Sequence, residues 1–262
     1  MTVSLVDTHA HLDMKEFDND RDEVLARAFA AGVTKIITVG TDVSSSCTAV
    51  KLAEKYLQIY AAVGVHPHDA GRLEKTYVTR LKELAKHPKV VAIGETGLDF
   101  YRNYSPEEAQ FTVLREQLEL ASELNLPIII HTRNAAQETI DIIAEWVKRH
   151  PVEAGPRGVI HCFSEDAATA TKFLDYGFYI SFTGAVTYPQ SKAATVAKTI
   201  PINKIMVETD CPFLAPQNCR GKRNEPSFVT LTAEKLANAL GISLEKFAAQ
   251  TSENAQRLFN LR

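Results

Sequence analysis

Residues 90–133 read VVAIGETGLDFYRNYSPEEAQFTVLREQLELASELNLPIIIHTR. The segment opens on VVAIG (90–94) and closes on PIII (127–130). Both are short runs rich in Val and Ile and apolar at both parities, as in strands buried on both faces of a parallel sheet. Between them Phe111, Leu114, Leu118, Ala121 and Leu124 recur at spacings of three and four, on one face of a helix. Ser105, Pro106 and Glu108 have the spacing of an N-cap, a first-turn proline and the third-position glutamate of a capping box. Strand, helix and strand in this order make one βαβ unit.

The same unit recurs outward in both directions. Upstream lie VSLV (3–6), KIITVG (35–40) and IYAAVGV (59–65); downstream lie GVI (158–160), FYISF (178–182) and KIMV (204–207). The first connection carries Val24, Leu25, Ala28 and Phe29 on one face and stops at Gly32, where a left-handed cap glycine belongs. The fifth carries Ile140, Ile143 and Val147 and ends before Pro151, and the chain from Pro226 onward reads as two or three more helices. Eight such units in 262 residues predict an α/β fold, a (β/α)8 TIM-type barrel with C-terminal helices. An open doubly wound sheet is the alternative, weakened because no GxGxxG follows the first strand. No low-complexity tract or composition shift marks a boundary, so residues 1–262 read as one domain.

Lys and Arg total 29 against 32 Asp and Glu, a formal charge of −3. That excludes a strongly basic nucleic-acid binder and leaves polyanion contact to local patches. No apolar run is long enough to span a bilayer, and the opening MTVSLVDTHAHLD lacks a basic-then-apolar signal. Cys47, Cys162, Cys211 and Cys219 form no CxxC pair. The expected setting is a reducing cytoplasm, with no membrane and no obligate protein partner.

In a barrel the chemistry gathers at the carboxyl ends of the strands. The first strand ends in Asp7-Thr8-His9-Ala10-His11, the third in His66-Pro67-His68-Asp69 and the fourth in Glu95-Thr96-Gly97-Leu98-Asp99. The fifth ends in His131-Thr132-Arg133, the sixth in His161-Cys162 and the eighth in Glu208-Thr209-Asp210. Six of the eight histidines therefore fall at strand ends. His9 and His11 are two apart and share a side of their strand. Together with His131, His161, Glu95 and Asp210 they form a donor set for divalent cations. Glu95 has two oxygens and can hold one cation on each, about 3.5–4 Å apart. One cation then takes His9, His11, Glu95 and Asp210; the other takes Glu95, His131 and His161 and keeps a position open for substrate. Glu208 and Asp7 are read as orienting groups or as members of interior salt bridges. Cys162 and Cys211 are read as small packing residues.

These motifs, THAHLD, GVHPHD, GETGLDFYRNYSPEEAQ, PIIIHTR, HCFS, ETDCPFLAP and RGKRNEP, resemble in order those of the TatD family of metal-dependent deoxyribonucleases, within the amidohydrolase superfamily. The likeness runs from Asp7 to about Asn254. It implies a (β/α)8 barrel, a divalent-metal centre, hydrolysis of phosphodiester bonds in DNA, and metal ligands at His9, His11, Glu95, His131, His161 and Asp210. One departure is Asn134, where the family commonly has Asp; it is expected to keep a helix N-cap.

The reaction expected is exonucleolytic, at the ends of DNA, single strands above all, with two divalent cations whose identity (Mg, Mn or Zn) stays open. Catalysis is expected to rest on Asp210 and Glu95, Asp210 orienting the attacking water and accepting its proton. His66, His68 and Arg133 are left to grip the phosphate, although His66-x-His68 also has the spacing of a competing metal site. Phe100-Tyr101-Arg102-Asn103-Tyr104 offers rings for base stacking, and Arg220, Lys222 and Arg223 offer charge for flanking phosphates. Their bland readings are rim aromatics and a solvated basic turn. The alternative activity is hydrolysis of an ester or amide, such as aminoacyl-tRNA, and a third reading is a non-catalytic barrel.

Overall fold

The computed structural model describes residues 3–151 and 157–261. Eight strands, β1 (Leu5–Ala10), β2 (Val33–Val39), β3 (Ile59–Val63), β4 (Val90–Asp99), β5 (Ile128–Arg133), β6 (Gly158–Ile160), β7 (Phe178–Phe182) and β8 (Ile205–Val207), pair in sequence order, each pair parallel. The connecting helices are α1 (Arg21–Ala30), α2 (Val43–Lys55), α3 (Tyr77–Leu84), α4 (Glu107–Leu124), α5 (Ala136–Arg149), α6 (Ala167–Asp175) and α7 (Ala193–Ala197). α8 (Val229–Leu240) and α9 (Leu244–Phe259) follow β8. This is the TIM-type barrel that the repeated units predict. The sheet is closed just beyond β8: the Asp210 N–H donates to the His9 carbonyl at 2.8 Å and the His11 N–H to the Cys211 carbonyl at 2.8 Å. Closure thus places Asp210 beside both histidines of β1.

Every strand contributes to a buried cluster (Val6, Ile37, Tyr60, Val91, Ile129, Val159, Tyr179 and Met206 among them) that includes Leu258, Phe259 and Leu261. The α9 segment is anchored at the amino ends of the strands, where Asn254 Nδ2 donates to the Ile202 and Ile205 carbonyls at 2.9 and 2.7 Å and Ser252 Oγ to the Ser4 carbonyl at 3.0 Å. That end of the barrel is therefore plugged by side chains. A second, larger apolar layer fills the space between strands and helices.

β4 outruns its predicted end at Gly94 and continues to Asp99, with a register shift against β5 between Ile93 and Thr96. Bulges of this kind re-aim side chains next to active sites. Gly94 and Gly97 have φ of +133° and +148°, and a Cβ on Gly97 would stand 1.8 Å from the His131 carbonyl oxygen. Only glycine permits so close an approach with that backbone. The bulge carries Glu95 to the centre of the mouth.

Two capping expectations are corrected. α4 has Pro106 at its N-cap with no side-chain cap; Ser105 Oγ instead donates to the His68 carbonyl at 2.7 Å and accepts from the Gly71 N–H at 2.9 Å. Its hydroxyl is used to tie two loops of the mouth together. At α5 the N-cap is Ala135, again uncapped, and Asn134 sits one residue earlier at φ +53°, a left-handed conformation that Asn tolerates. Among the described residues no helix is long and apolar enough to cross a membrane.

Candidate metal centre

Glu95, 2% exposed, lies at the middle of the mouth with imidazoles on both sides. Its Oε2 is 3.2 Å from His9 Nε2 and 3.7 Å from His11 Nε2. Asp210 Oδ1 closes this half, 3.3 Å from His11 Nε2 and 3.8 Å from His9 Nε2. On the other half Oε1 is 2.8 Å from His161 Nε2, 3.1 Å from His131 Nδ1 and 3.4 Å from His66 Nε2. The structure thus brings all six expected ligands together and divides them between the two oxygens of Glu95.

The outward nitrogen of three of these rings is held by an acceptor. His11 Nδ1 meets the Val39 carbonyl at 2.8 Å, His161 Nδ1 meets Glu208 Oε1 at 3.2 Å, and His131 Nε2 meets Asp99 Oδ2 at 3.2 Å. A carbonyl or carboxylate can only accept, so each outward nitrogen carries a hydrogen and the inward one is left with its lone pair. Metal-binding histidines are oriented in this way. Inward imidazole nitrogens together with the buried Glu95 and the partly exposed Asp210 suit borderline divalent cations, so the residues present fit a divalent-metal site. His9 Nδ1 is buried without a partner among the described residues.

His66 differs. Its Nδ1 accepts from the His68 N–H at 3.1 Å, so Nε2 carries the hydrogen and is a donor toward the mouth. Burial above all pushes its pKa down to about 4, which keeps the ring neutral. That geometry sets it apart from the lone pairs offered by His11, His131 and His161.

Burial would push Glu95 up, yet His161, His66 and His9 around it hold it well below the usual carboxylate range. Burial opposes charge on His161 too, and Glu95 and Glu208 more than offset it, raising the ring well above its ordinary value. His11 is likewise pushed up to about 9 against burial, by Asp210 and Glu95. Without a cation these rings hold a proton on the inward nitrogen against the carboxylates; a divalent cation bound there would displace that proton and meet the lone pair.

The orienting role of Asp99 emerges only in the folded chain. Fully buried, it places Oδ2 on His131 and, at 2.9 Å, on His68 Nε2, while Oδ1 accepts from the Tyr101 and Arg102 N–H groups at 3.0 and 2.8 Å. Burial raises its pKa, but His131, the Arg102 N–H and His68 hold it well below the ordinary value. The sequence signal was a second carboxylate four residues after Glu95 in a strand that had to be longer than its apolar run. Asp99→Asn, with its oxygen held by the Tyr101 and Arg102 N–H groups, would turn its NH2 on His131 and undo that ring's tautomer. It is expected to weaken divalent-metal binding about 10–100-fold in a chelator-competition titration. Affinity within twofold of the wild type would remove Asp99 from this role.

Glu208 also accepts the Cys162 N–H at 2.7 Å, consistent with an orienting group. Asp7 takes neither of the roles considered for it: its carboxylate accepts from Thr209 Oγ1 at 2.6 Å, from the Thr209 N–H at 2.9 Å and from the His9 N–H at 3.3 Å, fixing backbone at the barrel closure. Burial pushes it up to about 8, against the hydrogen bonds from Thr209. Cys211 is buried as packing, whereas Cys162 is only partly buried and lines a cavity.

Four large apolar side chains are strongly exposed among the described residues: Leu57, Tyr101, Tyr104 and Phe213. The three aromatic ones surround the mouth. Tyr104 lies 4.8 Å from His68, Phe213 lies 6.1 Å from His11, and the Arg133 guanidinium stacks 3.9 Å from the Tyr101 centroid. Phe100 instead packs on Phe111. Arg223 is taken by a bidentate ion pair with Asp20 at 2.7 and 2.8 Å, so of the three cations considered for flanking phosphates Arg220 and Lys222 are the exposed ones. Phe213, in an irregular loop, gave no sequence signal.

A family model described as TatD related DNase matches residues 6–260. The chain is 44% identical over 258 residues to a Bacillus subtilis protein named uncharacterized metal-dependent hydrolase YabD, covering 98% of this chain and 99% of the relative. It is 35% identical to the Salmonella typhimurium 3'-5' ssDNA/RNA exonuclease TatD, over 98% of this chain and 99% of that one. Among solved structures it resembles YjjV, a TatD homologue from Escherichia coli, with a TM-score of 0.93 at 31% identity and full coverage of both chains. A match of this extent, over a barrel whose mouth gathers clusters suited to divalent cations, shows that the chain belongs to the TatD family of metal-dependent hydrolases.

Proposed function

We propose that this chain is an exonuclease that hydrolyses phosphodiester bonds at the ends of single-stranded DNA, with His9, His11, Glu95, His131, His161 and Asp210 holding two divalent cations. The observation that carries the substrate class is the set of exposed aromatics at the mouth, Tyr104 beside His68, Phe213 beside His11 and Tyr101 stacked on Arg133. Aromatic faces take any base and need no net positive charge on the protein. A relative 35% identical is named as an exonuclease on single-stranded DNA and RNA, which supports the same reading.

Divalent cations held by these residues would supply Lewis-acid stabilisation of the phosphate oxygens and would make water acidic enough to act near neutral pH. Glu95 would offer its two carboxylate oxygens to them. The carboxylate of Asp210, with 13% of its side chain exposed at the mouth, aligns the attacking water and takes its proton on a carboxylate oxygen. His66 donates from Nε2 toward the phosphate, and His68 is poised beside it on Asp99. Arg133 is exposed and backed by Tyr101, leaving the edge of its guanidinium to grip an anion.

End-labelled single-stranded DNA, duplex DNA, RNA and aminoacyl-tRNA, incubated with Mg, Mn or Zn, test the assignment. A ladder shortening from one end of the single strand is expected; deacylation of tRNA with the DNA intact would transfer the site to ester chemistry. The double variant Tyr101→Ala with Phe213→Ala is expected to raise KM for the oligonucleotide about 10–100-fold, since each stacked base is worth roughly 1–3 kcal/mol. An unchanged KM would show that the rim does not hold substrate.

A further inference from the structure

Behind Cys162, on the β6–β7 side of the mouth, a half-enclosed cavity of about 300 Å³ opens between the loops that follow β6 and β7. Phe163 and Phe182, both buried and packed edge to face at 6.3 Å, lie against it, and Val186 and Ala193 add apolar wall. Gln190 and Ser191 bring an amide and a hydroxyl, and Lys192 is an exposed cation that makes no ion pair among the described residues. The cavity neighbours the metal centre through Cys162. Cys162 follows His161 in the chain, its N–H is held by Glu208, and its thiol lies 3.7 Å from Thr183 Oγ1, a second lining group.

We propose that this cavity holds the nucleoside esterified to the phosphate being cut, an inference that rests on the phosphodiesterase reading of the neighbouring centre. The volume is at the small end of ligand pockets, fit for one base and sugar and too small for a longer stretch of chain. An apolar wall accepts the face of any base. Gln190 can both donate and accept, so it meets any base edge without selecting among them, as an enzyme that removes successive nucleotides requires. Lys192 stands where the next phosphate leaves the cavity. Arg220, stacked 5.3 Å from the ring of Tyr188 in the same loop, extends that positive rim.

The test compares two kinds of p-nitrophenyl phosphodiester on the metal-loaded protein: thymidine 5'- and 3'-esters, and the methyl ester that lacks a nucleoside. The wild type is expected to favour at least one thymidine ester by about tenfold or more in kcat/KM, the scale of one base contact. Ala193→Trp, which fills the cavity, is expected to bring that ratio to within about twofold of one; Ala193→Leu, a milder filling, is expected to give an intermediate ratio if the Trp variant does not fold. Equal rates on all esters in the wild type, or a preference untouched by both variants, would overturn the cavity assignment and leave the phosphodiesterase reading in place. Failure of the wild type to cleave any of the esters or single-stranded DNA would instead remove the reading on which it rests. Equilibrium dialysis of thymidine 5'-monophosphate against metal-stripped protein gives a second readout: binding is expected in the wild type and lost in the Trp variant, and equal binding would again place the nucleoside elsewhere.

Discussion

Glu95→Gln is expected to lower the metal content of the purified protein from two divalent ions per chain to one or fewer, and hydrolysis by at least about 10³-fold, some 4 kcal/mol of lost transition-state stabilisation. The reason is local. Each oxygen of Glu95 faces a different set of imidazoles, Oε2 toward His9 and His11 and Oε1 toward His131 and His161. A carboxamide keeps the volume but offers one oxygen and turns an NH2 on the other set, where it meets nitrogens that should present lone pairs to a cation. It also removes the negative charge that would offset two like-charged ions at this site. Elemental analysis after dialysis and initial rates under saturating metal provide the measurement. Two ions per chain and a wild-type rate in the variant would sink the bridging role.

Asp210→Asn separates chemistry from metal holding. Asp210 touches the cluster through Oδ1 at the edge of the His9 and His11 half, and its backbone is fixed by the barrel closure, so the amide should sit in the same place. At saturating metal the content is expected to stay near that of the wild type, because Asn keeps an oxygen at the Oδ1 position and His9, His11 and Glu95 are untouched, although affinity falls. The rate is expected to fall about 10²–10⁴-fold, the usual contribution of a positioned general base. A variant that keeps both metal and full activity would shift proton transfer to another group and would favour a barrel whose metals serve no hydrolysis. The two substitutions thus fail differently: loss of metal follows the first, loss of turnover with metal in place follows the second.

Much of this molecule is legible along the chain. Strands apolar at both parities and helices with one apolar face are local patterns, and eight repetitions leave few folds. Once the barrel is drawn, the carboxyl ends of its strands form a short inventory, and His9, His11, Glu95, His131, His161 and Asp210 stand out there by residue type alone. Capping at Ser105 and Asn134 was misread because a hydroxyl or amide is used by whichever backbone group reaches it first, and in Ser105 that group lies in another loop.

What the chain order could not contain is orientation. The inward nitrogen of His11 is selected by the carbonyl of Val39, that of His161 by Glu208, and that of His131 by Asp99, partners 28, 47 and 32 residues away. The side of Glu95 that meets each half depends on a bulge permitted by Gly94 and Gly97, and the rim position of Phe213 and the cavity behind Cys162 depend on how separate loops fold over one mouth. Periodicity specifies which residues lie on a face and at which end of a strand; the direction a side chain turns, and the atom it offers, are set by contacts that exist only after the barrel has closed.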